Sequence, residues 1–316
     1  MKKDATLLRG NKRHNLLHYL KKDKFIYLLI LPGLLYYIVF KYLPMYGIII
    51  AFKEYQPFLG IEGIFSAPWV GLKHLRRFFS SRYSLELIRN TFIISLQGLV
   101  FGFPAPIILA LMLNEVQQRK FKKVVQTISY LPHFLSMVIV ASLIRNVTSM
   151  EGGVINAVIN FLGGEPVLFL GSTKHFRSIL WVSGIWQGIG WGSIVYLAAM
   201  ANIDQELYEA AVVDGAGWLR KIWHITLPGI VPVISILLIF RIGDLLTVGY
   251  EKILLLYSPM VYSVADVIST YVYRAGLIGM EYSFGAAVSL FNSLVDLTLT
   301  LTANYAAKKL GQEGLW

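Results

Sequence analysis

The sequence has 316 residues, of which 56% are hydrophobic and only 15% charged, more apolar surface than a soluble protein of this length can bury. The net charge of +11 would suit nucleic-acid binding in a soluble protein, but the basic residues lie beside long apolar blocks, so we expect a membrane protein with no nucleic-acid partner. No cysteine is present, which excludes disulfides, thiolate nucleophiles and thiolate metal sites.

Six apolar segments are long enough to cross a bilayer, since about 20 helical residues span roughly 30 Å of hydrocarbon. We therefore predict an all-α, polytopic membrane protein with six transmembrane helices and a cytoplasmic helix-turn-helix. The first segment continues past its apolar core without a small-residue cleavage site, so we expect it to be retained. The predicted spans are 25–43, 87–113, 124–144, 179–200, 230–248 and 284–306.

Lys and Arg are more numerous on the side of the two termini, which predicts that both termini are cytoplasmic. The predicted organisation is a basic cytoplasmic tail (1–24), a six-helix membrane domain (25–306) that includes a cytoplasmic loop (201–228), and a cytoplasmic tail (307–316). The tail before Lys24 is basic enough to lie on anionic membrane lipid, and a merely solvated tail fits equally well. The three long loops on the opposite side contain Gly, Pro and aromatic residues and should be partly folded.

The loop between the fourth and fifth spans has the pattern of a helix-turn-helix. Asp204 is a suitable N-cap for a first helix. Gly215 and Gly217 should end this helix, because glycine tolerates the positive φ that a helix stop commonly requires. Residues 218–225 should then form a second short helix that ends before Pro228.

Three residues of the first helix have distinct expected tasks. Ala210 and Ala211 are small, so a partner protein can approach the helix backbone closely. The Glu209 carboxylate can orient the second helix by accepting backbone N–H bonds near Gly217 and Trp218, at the positive end of that helix. The geometry predicts a surface that docks another protein.

The loop reads Glu-Ala-Ala, three residues, Gly, nine residues, Ile, one residue and Leu-Pro, which resembles at every position the signature of ABC importer permeases. The signature also stands after the fourth of six spans, as in that family. The resemblance implies that the loop couples the membrane domain to a cytoplasmic ATPase. The implied coupling residues are Glu209, Ala210, Ala211, Asp214, Gly215, Gly217, Ile225, Leu227 and Pro228.

Two further stretches, 130–132 and 184–188, are similar to the maltose-type branch of sugar permeases, and 31–47 is similar to permeases for polysaccharide fragments and alginate-like oligosaccharides. The resemblance implies a sugar-importing permease subunit in a bacterial inner membrane. Its implied partners are a second permease, two copies of an ABC ATPase and an extracytoplasmic solute-binding protein. This chain has no phosphate-binding Gly-x-x-x-x-Gly-Lys-Ser/Thr loop and no cofactor of its own, so ATP and Mg should bind to the partner ATPase.

Polar residues inside the predicted spans are candidates for the substrate path, because charge at membrane depth is costly. Arg241 and Asp244 are spaced to share a helix face and to pair. The fourth span carries glycines at spacing four, which suits close helix packing, and tryptophans that suit either membrane anchoring or stacking on sugar rings. Tyr250 and Glu251 lie at the outer end of the fifth span, where a phenol and a carboxylate could bind sugar hydroxyls or simply face water. The path candidates are Trp186, Gln187, Gly188, Trp191, Arg241, Asp244, Tyr250 and Glu251.

The last span carries a polar stripe of Asn292, Asp296 and Asn304, which favours either interhelical hydrogen bonds or a cavity lining. Two other functions remain as alternatives. An ABC permease for a non-sugar solute would share the docking loop. An intramembrane enzyme is disfavoured, because the sequence contains neither a His-Glu-x-x-His zinc motif nor a Gly-x-Ser-x-Gly elbow.

Overall fold

The computed structural model describes residues 24–246, 249–311 and 314–315. Within these ranges the chain is helical, and the sole pairing of extended residues is an isolated bridge between Lys53 and Trp69. Several helices contain a short π or 3₁₀ turn and continue through it. The helices from the first to the eighth are α1 (Lys24–Phe52), α2 (Gly60–Ser66), α3 (Lys73–Ser80), α4 (Arg82–Glu115), α5 (Arg119–Phe134), α6 (Met137–Thr148), α7 (Val154–Phe161) and α8 (Phe176–Ala201).

The second half of the chain alternates short helices with two long ones. The described helices are α9 (Gln205–Val213), α10 (Trp218–Gly243), α11 (Tyr250–Leu256), α12 (Tyr262–Ala265), α13 (Ile268–Val272) and α14 (Tyr282–Lys309). The predicted tail 1–24 lies outside the described residues except for Lys24, which begins α1.

Four described helices, α1, α4, α10 and α14, are long and apolar enough to cross a membrane. Helices α5 and α6 would add a fifth span if the pair counts as one, although they are bent by 105° at their junction. The chain is thus an all-helical membrane protein with four to five candidate spans, and the predicted number of six is not reached by length and hydropathy. Helix α8 has 26 residues, but its Gly, Trp and Gln residues lower its hydropathy.

The predicted third span, 124–144, is broken in the structure. Helix α5 ends in a 3₁₀ turn at Leu131–Phe134, and the backbone of Leu135 is extended. Ser136 caps the next helix, where its side chain accepts a hydrogen bond from the Ile139 N–H at 3.4 Å. Hydropathy could not predict this break, because every residue beside the turn is hydrophobic except His133 and Ser136.

The predicted fifth span begins earlier and ends earlier than 230–248. Helix α10 runs without interruption from Trp218 through Pro228, so the short helix expected to stop before that proline does not exist separately. A π turn at Ile222–Thr226 precedes Pro228. Proline lacks an N–H and its ring clashes with the carbonyl four residues before it, and a wider turn moves that carbonyl away. The helix then ends at Gly243.

Three clusters of buried side chains hold the helices together. The largest joins α6, α8 and α11 through residues such as Val140, Phe176 and Ile253. A second packs Phe78 of α3 against Phe284 of α14, and a third joins α4, α8 and α10. The three loops that we expected to be folded do contain helices, namely α2 and α3, α7, and α11 to α13.

Helix α8 packs closely on α4 and α5 through glycines. Of its glycines at spacing four, Gly192 makes such a contact, and the other two do not. A Cβ on Gly190 would lie 2.1 Å from the Ser129 carbonyl oxygen, and a Cβ on Gly192 would lie 2.9 Å from Pro106. Gly184 and Gly188 have nothing within 4 Å of a Cβ position. Close helix packing therefore explains Gly190 and Gly192, whereas Gly184 and Gly188 leave open space beside the helix.

Candidate functional site

We call residues 204–228 the coupling segment. Its first helix, α9, begins as predicted, because the Asp204 carboxylate accepts a hydrogen bond from the Glu206 N–H at 3.0 Å. None of the residues of α9 is buried. The Tyr208 hydroxyl lies 2.9 Å from the Thr226 hydroxyl, which ties this helix to the buried face of α10. The helix therefore projects from the body of the chain on a defined base.

The turn after α9 depends on one of the two glycines. Gly215 has φ +71°, the left-handed conformation that the sequence predicts. The Ala216 N–H then donates to the Ala211 carbonyl at 2.8 Å and closes the end of the helix. Gly217 has φ −69°, which any residue adopts, and is the N-cap of α10.

The bond that we expected from Glu209 is absent. The Glu209 side chain is exposed and accepts no hydrogen bond from Gly217 or Trp218 among the described residues. Ala210 and Asp214 are also exposed, whereas Ala211 is half-buried. Of the residues at the end of the segment, Ile225 and Leu227 are half-buried and Pro228 is exposed.

Large apolar side chains are exposed along the coupling segment. They extend over both helices and the turn between them, beside the exposed charges of Arg220 and Asp214. Such a mixed, unburied surface is typical of a protein-binding site. The exposed apolar residues are Leu207, Val212, Val213, Trp218, Leu219 and Trp223.

A second candidate site is a cavity of about 770 Å³ between α4, α8, α10 and α11. Gly184 and Gly188 form part of one wall, which accounts for the open space beside them. Trp181 lines the same wall and stacks on Phe101, with ring centroids 4.8 Å apart. The volume falls in the range of about 300 to 1,000 Å³ that is usual for small-molecule sites.

The structure divides the predicted path residues into two groups. Gly188, Arg241, Asp244, Tyr250 and Glu251 all line the cavity. The lining does not include Trp186, Gln187 and Trp191, and both tryptophans are exposed. The Trp191 ring stacks on His133, with centroids 4.6 Å apart and the planes parallel within 1°.

The predicted ion pair between Arg241 and Asp244 does not form. Because α10 ends at Gly243, Asp244 is the C-cap, with φ −96° and ψ 19°, and no longer follows the helical spacing of three. The Arg241 guanidinium instead lies over Gly98, 3.0 Å from where a Cβ would be.

The polar stripe of the last span forms hydrogen bonds to backbone groups. The Asp296 carboxylate accepts from the Leu246 N–H at 3.0 Å, and Asn292 donates to the Leu246 carbonyl at 3.4 Å. Asn304 accepts from the Leu315 N–H at 2.7 Å. None of these three lines the cavity, so the stripe mainly fixes the chain after α10 and the chain after α14.

Sequence reasoning missed Lys252, which lines the cavity beside Glu251. Burial lowers the pKa of Lys252 to about 8. The ammonium group has no hydrogen-bond or ion-pair partner among the described residues. The signal was weak in the sequence, because the residue follows the apparent end of a span, where a lysine is usually solvated.

Between α4 and α11 to α13 lies a buried polar cluster around Asp266, which we call the Asp266 cluster. Asp266 is 0% exposed, and its carboxylate accepts hydrogen bonds from the Thr270 hydroxyl and from Arg274, both at 2.6 Å. The Tyr83 hydroxyl donates to the same carboxylate, and Asn90 donates to the Asp266 carbonyl at 3.1 Å. The charge is thus fully paired within the chain.

Comparison with known proteins identifies relatives over the full length. Residues 102–304 match the family described as "Binding-protein-dependent transport system inner membrane component". The chain is 48% identical to the polygalacturonan/rhamnogalacturonan transport system permease protein YteP of Bacillus subtilis (strain 168), over 99% of this chain and 97% of that one. It is 46% identical to Protein LplB of the same strain, over 100% and 98%.

Solved structures also resemble the chain over nearly its full length. A bacterial alginate ABC transporter, crystallised in complex with an alginate pentasaccharide-bound periplasmic protein, contains a chain that superposes with a TM-score of 0.87. The two chains are 43% identical, and the alignment covers 95% of this chain and 99% of that one. The residues matched by the family include the coupling segment and most of the cavity lining.

Proposed function

Because the chain belongs to the family of inner-membrane components of binding-protein-dependent transport systems, we propose that it forms, with a second related permease, the path for oligosaccharides through the membrane. As the multi-pass membrane component, it leaves ATP hydrolysis to a separate subunit. The full complex would add two copies of an ABC ATPase and an extracytoplasmic solute-binding protein. The periplasmic protein present in the related alginate transporter supports the last of these partners.

Six membrane spans are part of this proposal. The four long apolar helices would be joined by the α5–α6 pair and by α8, whose 26 residues correspond to about 39 Å of helix and exceed the hydrocarbon thickness. The distribution of Lys and Arg favours both termini on the cytoplasmic side. The coupling segment would then face the cytoplasm, where the ATPase is located.

The observation that carries the proposal is the projecting coupling segment, in which α9 buries none of its residues and Gly215 holds a sharp turn. A surface with this many exposed apolar side chains is unfavourable in water unless a partner covers it. We propose that the ATPase covers it, with the exposed Ala210 permitting close approach.

The cavity is the proposed part of the path that this chain contributes by itself. It combines aromatic rings, which stack on the apolar faces of sugars, with polar groups for hydroxyls. Trp186, Gln187 and Trp191 would belong to the path only if a second permease completes a wall around them.

Oligosaccharides are the proposed substrate class because both the YteP relative and the alginate transporter carry polysaccharide-derived solutes in their names. The alternative within the family is a non-sugar solute, since an sn-glycerol-3-phosphate permease of Pectobacterium atrosepticum is 27% identical over 87% of this chain. The aromatic lining of the cavity favours a sugar.

Crosslinking tests the docking proposal. A cysteine placed at Ala210 should form a disulfide with cysteines in a groove of the ATPase, and the yield should change between the ATP-bound and nucleotide-free states. A cysteine at Lys174, an exposed residue far along the chain before α8, is the matched control and should give none. Equal yields at both positions would contradict the docking proposal.

A further inference from the structure

The cavity lining carries more positive than negative side chains. Its basic members are Arg177, Arg241 and Lys252, and its acidic members are Asp244 and Glu251. A path for neutral sugars has no need for an excess of cations in a partly desolvated wall. Unpaired charge in such a wall is costly, so each of the basic groups requires an explanation.

Arg177 is explained by contacts within the chain. Its guanidinium donates to the Asn90 side-chain oxygen at 2.8 Å and to the Val264 carbonyl at 3.0 Å. These bonds fix the start of α8 to α4 and to the chain near α12. The positive group of Arg177 is therefore structural.

Arg241 has no such bonds, but its side chain is exposed, so water solvates the guanidinium. Asp244 and Glu251 are likewise exposed and without an ion-pair partner among the described residues. Charges that remain in contact with water are screened from one another and cost little when unpaired. Neither carboxylate neutralises Lys252.

Lys252 differs from all of these groups. It is partly buried beside Ile253, which is 1% exposed in the largest apolar cluster, and its ammonium is unpaired within the described residues. The loss of hydration that depresses its pKa is a free-energy cost that no contact within the chain offsets. An anion entering the cavity would offset that cost by forming a charge-assisted hydrogen bond.

On the basis of the proposed function, we propose that Lys252 binds a carboxylate of the translocated oligosaccharide, so that the permease selects chains that contain uronic acids. The adjacent rings fit this role. Tyr250 lines the cavity and lies 6.1 Å, centroid to centroid, from Tyr273, so an aromatic surface for the sugar ring stands next to the cation for its carboxylate.

The test compares acidic sugars with neutral sugars of the same shape. The purified complex of this chain, its second permease and the ATPase is titrated with trigalacturonate, with an alginate trisaccharide, and with both trisaccharides after reduction of each carboxyl to an alcohol. Binding is measured by calorimetry and by the change in total tryptophan fluorescence, to which Trp181 in the cavity lining contributes. The parent complex should bind at least one acidic trisaccharide better than its reduced form.

Lys252→Gln and Lys252→Met should raise the Kd for that acidic trisaccharide at least about tenfold, as expected for loss of one charge-assisted bond, and should change the Kd of the reduced form less than about twofold. Lys252→Arg should retain most of the preference. Lys174→Gln, which removes an exposed lysine outside the cavity lining, should leave all values unchanged.

Three results would overturn the inference. They are no preference for either acid in the parent complex, equal losses for acidic and reduced sugars in both Lys252 variants, and a preference unaffected by the variants. Equal losses would mean that Lys252 pairs with a group of another subunit. The proposed function fails separately, if proteoliposomes of the parent complex with its binding protein take up none of the four sugars.

Discussion

The coupling segment and the Asp266 cluster differ in how far their side chains are buried and paired within the chain. In the Asp266 cluster, a carboxylate with no exposure has its charge paired and its oxygens bonded by three side chains from two parts of the chain. In the coupling segment, α9 buries no residue, and bulky apolar side chains such as Trp218 and Val213 face outward. The charge of the first region is paired within the chain, whereas the second leaves apolar side chains exposed, which the proposed ATPase partner would cover. Stability and coupling should therefore respond to different substitutions.

The largest expected effect on stability is that of Asp266→Asn. Arg274 would lose its carboxylate, and the amide would present a donor to it, so the free energy of unfolding should fall by about 3 kcal/mol. The unfolding temperature of the purified complex measures this loss. Asp214→Asn removes an exposed carboxylate from the coupling segment and is the matched control, with no expected change. Equal shifts for the two variants would contradict the difference between the regions.

Gly215→Val should have a smaller effect on stability but a large effect on coupling. A β-branched residue at φ +71° costs about 1–2 kcal/mol, and the strain is confined to the turn after α9. We expect normal membrane levels but loss of sugar-stimulated ATP hydrolysis in proteoliposomes. Gly217→Val, at φ −69°, introduces no such strain and should keep most of the stimulation. Normal stimulation in Gly215→Val would show that the turn is not needed for coupling.

Removal of one hydroxyl from each region gives a finer comparison. Tyr83→Phe deletes a hydrogen bond to a buried carboxylate and should cost about 1.5 kcal/mol, with a lower unfolding temperature. Tyr208→Phe deletes a hydrogen bond to the neutral Thr226 hydroxyl and should cost about 0.5–1 kcal/mol. A larger loss for Tyr208→Phe would mean that the base of the coupling segment is the more important of the two structures.

The smallest expected change in stability is that of Val213→Ser. The side chain is 87% exposed, so its replacement should alter the free energy of unfolding by less than about 0.5 kcal/mol. Because the residue belongs to the proposed docking surface, the same change should weaken co-purification of the ATPase. Val154→Ser, at an exposed apolar position in α7, is the control and should leave co-purification unchanged. Identical co-purification of all three proteins would argue against docking at this surface.

Much of the helical organisation could be predicted because apolar blocks of membrane length are a strong signal. The start of α9 and the conformation of Gly215 also followed from local rules for helix ends. The sequence predictions were wrong where a neighbouring structural feature offset the local rule on which they rested. Pro228 does not end a helix because a π turn precedes it, and Arg241 does not pair with Asp244 because Gly243 ends the helix between them.

The cavity could be predicted only in part. Arg241 and Asp244 were found because charge at membrane depth is unusual, and Glu251 was found because it follows the outer end of the predicted span. The wall built by α4 was missed, because Ser95 and Gly98 are ordinary residues in an apolar run and acquire a role only when α8 and α10 pack beside them. Lys252 was missed for the same reason, because its ammonium group loses hydration only through tertiary packing, which cannot be read from the sequence.

The continuity of α10 has a mechanical consequence. One unbroken helix of 26 residues, about 39 Å long, begins with Trp218 on the surface proposed for the ATPase and reaches Phe240 and Arg241 in the cavity wall near its far end. A tilt at one end of such a helix is carried to the other end, apart from any bending at the π turn or at Pro232. A tilt of only about 5° imposed at Trp218 would displace the far end by about 3 Å, comparable to the width of a water molecule. If the ATPase docks at Trp218 as proposed, a tilt imposed there would reach the cavity wall through the helix itself.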